Sequence, residues 1–239
     1  MKRLRTCPRT ISIKFCSLCA IFYFIVSLPA YALDQNEKLW TGFYMKRPLL
    51  LTNERYLYSL YAQLRLINKS QPWQTNILEG ALGYVYTPDK TFWLGYRWIG
   101  SNPNNGFAQN HYLFEQLMWK WFDTNDFKFI SRTRFEQVKN GRESPMSFRL
   151  RERVTYEMKA HYFNALNPVI FDEIFLQLNQ TDYASHRMVE QNRFFIGFNW
   201  YLTQKNLWEI GYINQYQYHT PQQPQNRMNH VLSLTYMMN

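Results

Sequence analysis

The sequence predicts an all-β protein: a single antiparallel transmembrane β-barrel behind an N-terminal signal peptide. Three observations carry this expectation. Polar and apolar residues alternate with a period of two along segments longer than ordinary soluble strands. The connections between those segments alternate between short and long. The chain also opens with an export leader, after which it has no cysteine and no apolar run long enough to cross a bilayer as a helix.

The leader occupies residues 1–32. Lys2, Arg3, Arg5, Arg9 and Lys14 form a basic start without acids. The apolar run from Phe15 to Leu28 is too short to span a membrane, and Pro29 with Ala30, Tyr31 and Ala32 supplies a small-x-small cleavage pattern. Cleavage is expected after Ala32, leaving residues 33–239 as one domain. The leader holds five of the 27 basic residues, so the remainder carries 22 against 17 acids. It also removes Cys7, Cys16 and Cys19. A disulfide scaffold, a thiol catalyst and a cysteine-based zinc site are thereby excluded. Aromatic residues make up 18% of the chain, above ordinary usage, and point to an exported β-protein with interfacial rings.

The strands follow in order. In "ERYLYSLYAQLRLIN" Tyr56, Tyr58, Leu60, Ala62, Leu64 and Leu66 share a face opposite Arg55, Ser59, Tyr61, Gln63 and Arg65. In "NILEGALGYVY" Leu78, Leu82, Tyr84 and Tyr86 oppose Glu79, and in "TFWLGYRWI" Phe92, Leu94, Tyr96 and Trp98 oppose Arg97. "DFKFISRTRFEQ" sets Phe127, Phe129, Thr133 and Phe135 against Lys128, Arg132, Arg134 and Glu136. "SFRLRERVTYEM" has arginine at every second position, 149, 151 and 153, with Phe148, Leu150, Val154 and Tyr156 between. "NRFFIGFNWYL" sets Phe194, Ile196, Phe198, Trp200 and Leu202 against Arg193 and Asn199. "LWEIGYINQYQYH" sets Trp208, Ile210, Tyr212, Tyr216 and Tyr218 against Glu209, Gln215 and Gln217, and "MNHVLSLTYMM" closes the series with Leu232, Leu234, Tyr236 and Met238 on one face.

Counted back from the C-terminus, long loops at 220–227, 179–190, 138–145 and 100–110 alternate with short ones at 203–206, 123–126 and 87–90 and an intermediate one at 161–168. Short turns on the periplasmic side with both termini there is the pattern of outer-membrane barrels. The count is ten strands from about Arg55 to Met238, with twelve as the alternative. The segment "LWTGFYMKRPLLL" (39–51) stands outside it, as a periplasmic lead-in or an additional strand.

The motifs "LW" (39–40), "GYR" (95–97), "RTRFEQ" (132–137), "RLRERVTY" (149–156), "DEIF" (172–175), "QNRFFIGF" (191–198) and "EIGYINQY" (209–216) occur in this order. In that order the chain resembles the domain of unknown function 2490 family, predicted outer-membrane β-barrel proteins of Gram-negative bacteria and relatives. The resemblance implies a barrel and export. It implies no reaction, ligand or catalytic residue. One departure concerns such barrels generally: their last residue is usually aromatic, whereas this chain ends "YMMN".

The basic stripes are the candidate site. The inward set is Arg55, Arg65, Arg97, Lys128, Arg132, Arg134, Arg149, Arg151, Arg153, Lys159 and Arg193, facing Glu79, Glu136, Glu157, Glu173, Glu190 and Glu209. The core of the expected lumen charge network is Arg97, Arg132, Arg134, Glu136, Arg149, Arg151, Arg153, Glu173, Arg193 and Glu209. Guanidinium forks match carboxylates, so these side chains would tie strands together and plug a small lumen. The excess of arginine suggests a narrow solute or anion-interacting role.

Nucleic acid is not an expected partner, because the leader exports the chain and the aromatics lie opposite the arginines. Outer-membrane lipid or lipopolysaccharide and the barrel-assembly machinery are. A lipid-acting hydrolase or acyltransferase with a rim site is the alternative function. His111, His161, His186, His219 and His230 supply no His-x-Ser or Asp-x-His couple on one strand face, so no catalytic residue is assigned. Asp172, Asp182, His186 and Glu190 lack a hard-cation loop pattern, and neither a metal nor a cofactor is expected. Glu152, Asp172 and Glu115 or Lys120 break the alternation, which calls for a position near the membrane interface or a β-bulge.

Overall fold

The computed structural model describes residues 34–50, 53–67, 73–101, 107–140, 144–159, 165–181, 188–218 and 225–239. The expected leader, residues 1–32, lies outside the described residues, as do His161, His186 and His219. The described chain is built of strands: β1 Asp34–Leu50, β2 Asn53–Ile67, β3 Trp73–Thr87, β4 Lys90–Ser101, β5 Ala108–Asp123, β6 Phe127–Asn140, β7 Ser147–Met158, β8 Leu166–Gln177, β9 Val189–Tyr201, β10 Asn206–Gln217 and β11 Arg227–Met238. They close into one barrel, each strand paired with its sequence neighbours and β1 paired with β11.

The strand count corrects the expectation of ten or twelve. The ten expected strands are β2 to β11. The segment that stood outside the count is β1, a full barrel strand, and among the described residues no twelfth strand accompanies it. An odd number cannot close with antiparallel pairs alone, because each step reverses direction. The odd pair is β1–β11, which runs parallel and unbroken from Asp34↔Arg227 to Met45↔Met238. The start of β1 and the end of β11 therefore lie at opposite ends of the barrel. The expectation of both termini at one end is thus also overturned.

The sequence hid β1 for a local reason. Its first residues are polar, and Pro48, which has no amide to donate, sits at a register shift where β1 turns into β2. What remains alternates correctly, with Trp40 buried and Phe43 exposed.

Connections 51–52, 88–89, 124–126, 159–165 and 202–205 fall at one end, which we call the short end. Connections 68–72, 102–107, 141–146, 178–188 and 218–226 fall at the other, the long end. Two short-end turns share a device. Thr124 Oγ1 accepts from the amides of Asp126 (3.3 Å) and Phe127 (3.1 Å), and Thr203 Oγ1 accepts from those of Lys205 (3.2 Å) and Asn206 (3.0 Å). A threonine hydroxyl that mimics a backbone acceptor fixes the reversal without glycine.

The outer wall is apolar, with leucines such as Leu78, Leu82 and Leu94 more than half exposed (55%, 59% and 61%). Aromatic pairs ring its short end, among them Tyr56–Tyr84, Trp119–Trp121, Phe127–Tyr156 and Trp208–Tyr236. Toward the long end, Tyr96 and Tyr212 hydrogen-bond through their hydroxyls to Nδ1 of His111 and His230, each at 2.5 Å. All of these but Trp119–Trp121, which stacks within β5, are cross-strand pairs, the sheet's unit of side-chain stabilisation.

Three carboxylates also face outward, and each has a cross-strand partner. Glu152 accepts from Thr133 Oγ1 (2.5 Å), Asp172 from Asn192 Nδ2 (2.9 Å) and Glu115 from Gln137 Nε2 (3.3 Å). The pairing of β7 is continuous on both sides, so no bulge turns Glu152 inward. A bulge does occur beside Lys120, which lies at the short end with Asp123.

Inside, part of the wall is apolar. Trp40, Val169, Phe171, Phe195, Ile213 and Val231 form one buried cluster spread over β1 and β8 to β11. Phe171 and Phe195 stack at 4.7 Å with planes 7° apart. The Phe195 ring lies over the paired glycines Gly197 and Gly211, where an added Cβ would meet both that ring and opposing backbone within 2.7 Å. Glycine is required there because ring and backbone fill the space a side chain would need. The sequence reading had anticipated a polar interior and assigned these strands' apolar residues to the outer face alone.

The parallel seam is testable because the chain after residue 32 has no native cysteine. Leu39→Cys with Leu232→Cys and Met45→Cys with Met238→Cys are expected to form disulfides, since each couple is a register pair. The crossed couple Leu39→Cys with Met238→Cys is expected to remain reduced. Crosslinking of the crossed couple alone would show an antiparallel or open seam.

Candidate functional site

The register of β6 against β7 places arginine opposite arginine twice: Arg132↔Arg153 and Arg134↔Arg151. Like charges directly across a ladder repel. The neighbouring strands supply the remedy. Glu136 lies across from Arg149, and Glu173 on β8 lies across from both Arg153 on β7 and Arg193 on β9. On β3, Glu79 lies across from Arg97 of β4.

Three carboxylates collect the arginines. Glu136, with 0% exposure, accepts from Arg149 Nε (2.8 Å) and Nη2 (2.5 Å), Arg151 Nη1 (2.5 Å) and Arg97 Nη1 (3.3 Å). Glu173, equally buried, accepts from Arg132 Nη2 (2.5 Å), Arg151 Nη2 (2.8 Å) and Arg153 Nη2 (3.2 Å), with Arg193 Nη1 at 3.5 Å. Glu79 takes both terminal nitrogens of Arg134 (2.9 and 3.0 Å) and Nε of Arg97 (2.6 Å). Arg134 stands on β6, so this fork passes over β4 and β5 to reach β3. Arg149 also meets Glu190 at 3.1 Å. The result is one continuous network from β3 to β9.

Nine of the ten residues expected to form the network are joined in it. Glu209 is the correction. It turns inward on β10 opposite Asn199, toward the short end, and makes none of these ion pairs. Its alternation was legible, but its height in the barrel was not. Arg193, the arginine on the adjacent strand, lies opposite Gln215, six residues along β10. Glu79 and Glu190, inward in the sequence reading but outside the core set, are both members.

Two outlying members of the inward set behave differently. Arg55 is exposed at the short end of β2, and Lys159 leaves the lumen to bond Asp123 (2.6 Å) and the Thr124 carbonyl (2.6 Å). Lys128 faces Glu157 at 3.5 Å.

Aromatic rings support the guanidiniums from below, which the sequence reading missed. Arg134 lies 3.9 Å over Phe114, Arg153 3.9 Å over Phe171, Arg151 4.5 Å over Phe175, and Arg65 3.9 Å over Trp40. The expectation that aromatics occupy only the face opposite the arginines is therefore wrong. These inner rings are buried against guanidiniums and offer no open platform for stacked bases. The signal was present as Phe114, Phe171 and Phe175 at inward positions, but an outward-aromatic rule for barrels obscured it.

The balance of charge follows. Arg65, Arg97, Arg132, Arg134, Arg149, Arg151, Arg153 and Arg193 face Glu79, Glu136, Glu173 and Glu190 in this part of the lumen, so arginines outnumber carboxylates two to one. Such an interior attracts anions and repels cations. Among the described residues no cluster of histidine, cysteine or carboxylate could hold a metal. His230 and Ser233 point to opposite faces, Ser233 being buried inside and His230 bonded to Tyr212 outside. Ser185 and His186 lie outside the described residues.

A closed single-chain barrel with an apolar outer wall and an arginine–carboxylate interior is the class of protein these features define. The chain belongs to the family described as protein of unknown function, DUF2490, which matches residues 37–227. An uncharacterized protein of Methylorubrum extorquens is 29% identical over 163 residues, covering 66% of this chain and 70% of its own. A NanC porin structure superposes with a TM-score of 0.46 at 13% identity, over 79% of this chain and 94% of its own.

The network sets an order of stability. Glu136→Gln and Glu173→Gln each strip a buried carboxylate from at least three arginines and are expected to cost about 3–5 kcal/mol. Glu209→Gln is expected to cost well under about 1 kcal/mol, within the range of positions without such a feature. Urea titration followed by unheated gel mobility of the folded barrel measures both. Equal effects at Glu136 and Glu209 would show that the network does not carry stability.

Proposed function

We propose that the protein is an integral outer-membrane β-barrel whose cationic interior interacts with small anions. The observation that carries this reading is the excess of arginine over carboxylate in the lumen, eight arginines against six carboxylates when the inward Glu157 and Glu209 are counted with the network, inside a sheet whose outer wall is apolar. The length of the strands, the aromatic belt at the short end and the export leader in the sequence support the membrane assignment. In this reading the short end faces the periplasm and the long end the exterior.

The outer carboxylates fit the same reading. An acid facing lipid is costly, and the cost falls when its oxygens are hydrogen-bonded and when it lies near the interface. Glu152, Asp172 and Glu115 each have such a bond.

The arginine network and the Trp40–Phe195 cluster both face the interior, which supports a lumen occupied by side chains. The lumen in this reading is plugged against free diffusion and serves as a binding or narrow conducting path. A barrel of this size holds side chains or one small ligand rather than a wide aqueous channel.

Two measurements test the proposal. Outer-membrane fractionation with heat-modifiable mobility is expected for the mature chain, and a mature chain soluble without detergent would overturn the membrane assignment. Planar-bilayer recording is expected to show small currents that prefer anions or are blocked by them. A cation-preferring pore would overturn the anionic role.

A further inference from the structure

Within the network the arginines are not equally neutralised. Arg97, Arg134, Arg149 and Arg151 each engage two carboxylates. Arg65 engages none among the described residues. Its Nε donates to Gln63 Oε1 at 2.7 Å, and its guanidinium lies 3.9 Å over the Trp40 ring. Arg193 lies 5.1 Å from the same ring. Its one carboxylate, Glu173, is 3.5 Å away and shared with three closer arginines. With the Gln191 amide turned so that its oxygen faces Arg193, that oxygen accepts from Arg193 Nε (2.6 Å) and Nη2 (3.0 Å). Amide orientation is an assignment, and this one gives Arg193 an acceptor in place of the bond that Gln191 Oε1 otherwise accepts from Gln217 Nε2 at 3.2 Å.

So two guanidiniums converge on one indole, and each is aligned by a neutral glutamine. A neutral acceptor fixes a guanidinium in place without cancelling its charge. Trp40 itself is 3% exposed, and its Nε1–H has no hydrogen-bond partner. A buried donor left unpaired costs free energy, as does a buried charge without a counter-charge. Gathering two such liabilities beside the weakly neutralised Arg193 is the arrangement expected of a site completed by a ligand.

We infer that Arg65, Arg193 and Trp40 form a carboxylate-binding subsite in the long-end half of the lumen. This rests on the anionic role proposed above and gives it an address and a ligand class. A carboxylate has one negative charge, which matches the unneutralised Arg65. Its two oxygens accept a guanidinium fork and still have capacity for the indole N–H. The position suits this as well. Trp40 and Arg65 are register partners on β1 and β2, so the subsite lies beside the parallel seam. Among the described residues, Glu173 is the one carboxylate of the main network that reaches the subsite, through Arg193.

The test is calorimetric titration of the folded, detergent-solubilised barrel with sodium benzoate, with inorganic phosphate and with choline chloride. Saturable binding of benzoate is expected, with phosphate weaker and choline silent. Arg65→Gln is expected to weaken benzoate binding at least tenfold, and Trp40→Phe, which keeps the ring and removes the N–H, several-fold. Arg65→Lys keeps the charge, removes the fork, and is expected to fall between wild type and Arg65→Gln. Heat-modifiable mobility reports whether each variant is folded. Should Arg65→Gln not fold, Arg65→Lys and Trp40→Phe decide the matter. Benzoate affinity unchanged in the folded variants overturns the subsite, as does phosphate binding in preference to benzoate. Anion preference in bilayers without saturable benzoate binding overturns the subsite alone. A cation-preferring pore overturns the anionic role with it.

Discussion

Arg151 holds the interior together. One terminal nitrogen reaches Glu136 and the other Glu173, so a single planar group joins the two most buried acids in the lumen. Without it the Glu136 half of the network and the Glu173 half share no ion pair among the described residues. With it, β6 and β7, whose register places arginine against arginine twice, share counter-charges with the neighbouring strands. The geometry depends on arginine in particular, because an ammonium presents no rigid fork with which to hold two carboxylates in fixed directions. The aromatic floor of Phe175, Phe114 and Phe171 completes the constraint by keeping the guanidiniums flat against the wall.

This arrangement explains how a small barrel tolerates so many charges indoors. Burying ions is costly, and a buried pair contributes little unless its remaining donors and acceptors are met. Here most of them are. Glu136 receives four hydrogen bonds from three arginines, and Arg134 spends both ends of its fork on Glu79. The unmet donors are few, and Trp40 Nε1 stands among them next to the least neutralised arginine. Stability and affinity for anions therefore draw on the same side chains at different positions along the barrel wall.

Much of this was legible in the sequence. Alternation with period two assigned Arg149, Arg151 and Arg153 to one face and Phe148, Leu150 and Val154 to the other, and loop lengths oriented every strand from β2 to β11. Two physical facts lay beyond that reading. Period two tells a face but not a height, so Glu209 looked like a member of a network whose ion pairs it does not join. A rule that barrels have even strand numbers also removed β1, together with Trp40. Inner aromatics such as Phe114 and Phe195 were passed over for a related reason: the outer wall already explained why a barrel should be rich in rings.

The parallel seam has a consequence for how the chain reaches its closed state. Ten of the eleven strand interfaces join sequence neighbours, and each can form as a local hairpin with a small loop to close. The eleventh brings Asp34 to Arg227 across nearly the whole folded chain. Contacts of such long range are slow, because the entropy of bringing distant segments together must be met before any bond rewards it. Parallel ladders are also slightly less stable per residue than antiparallel ones. The seam is thus the last interface to form and the first place where the wall would part. Trp40 and Arg65 stand directly beside it, so the final step of closure is also the step that assembles the indole and guanidinium into one pocket.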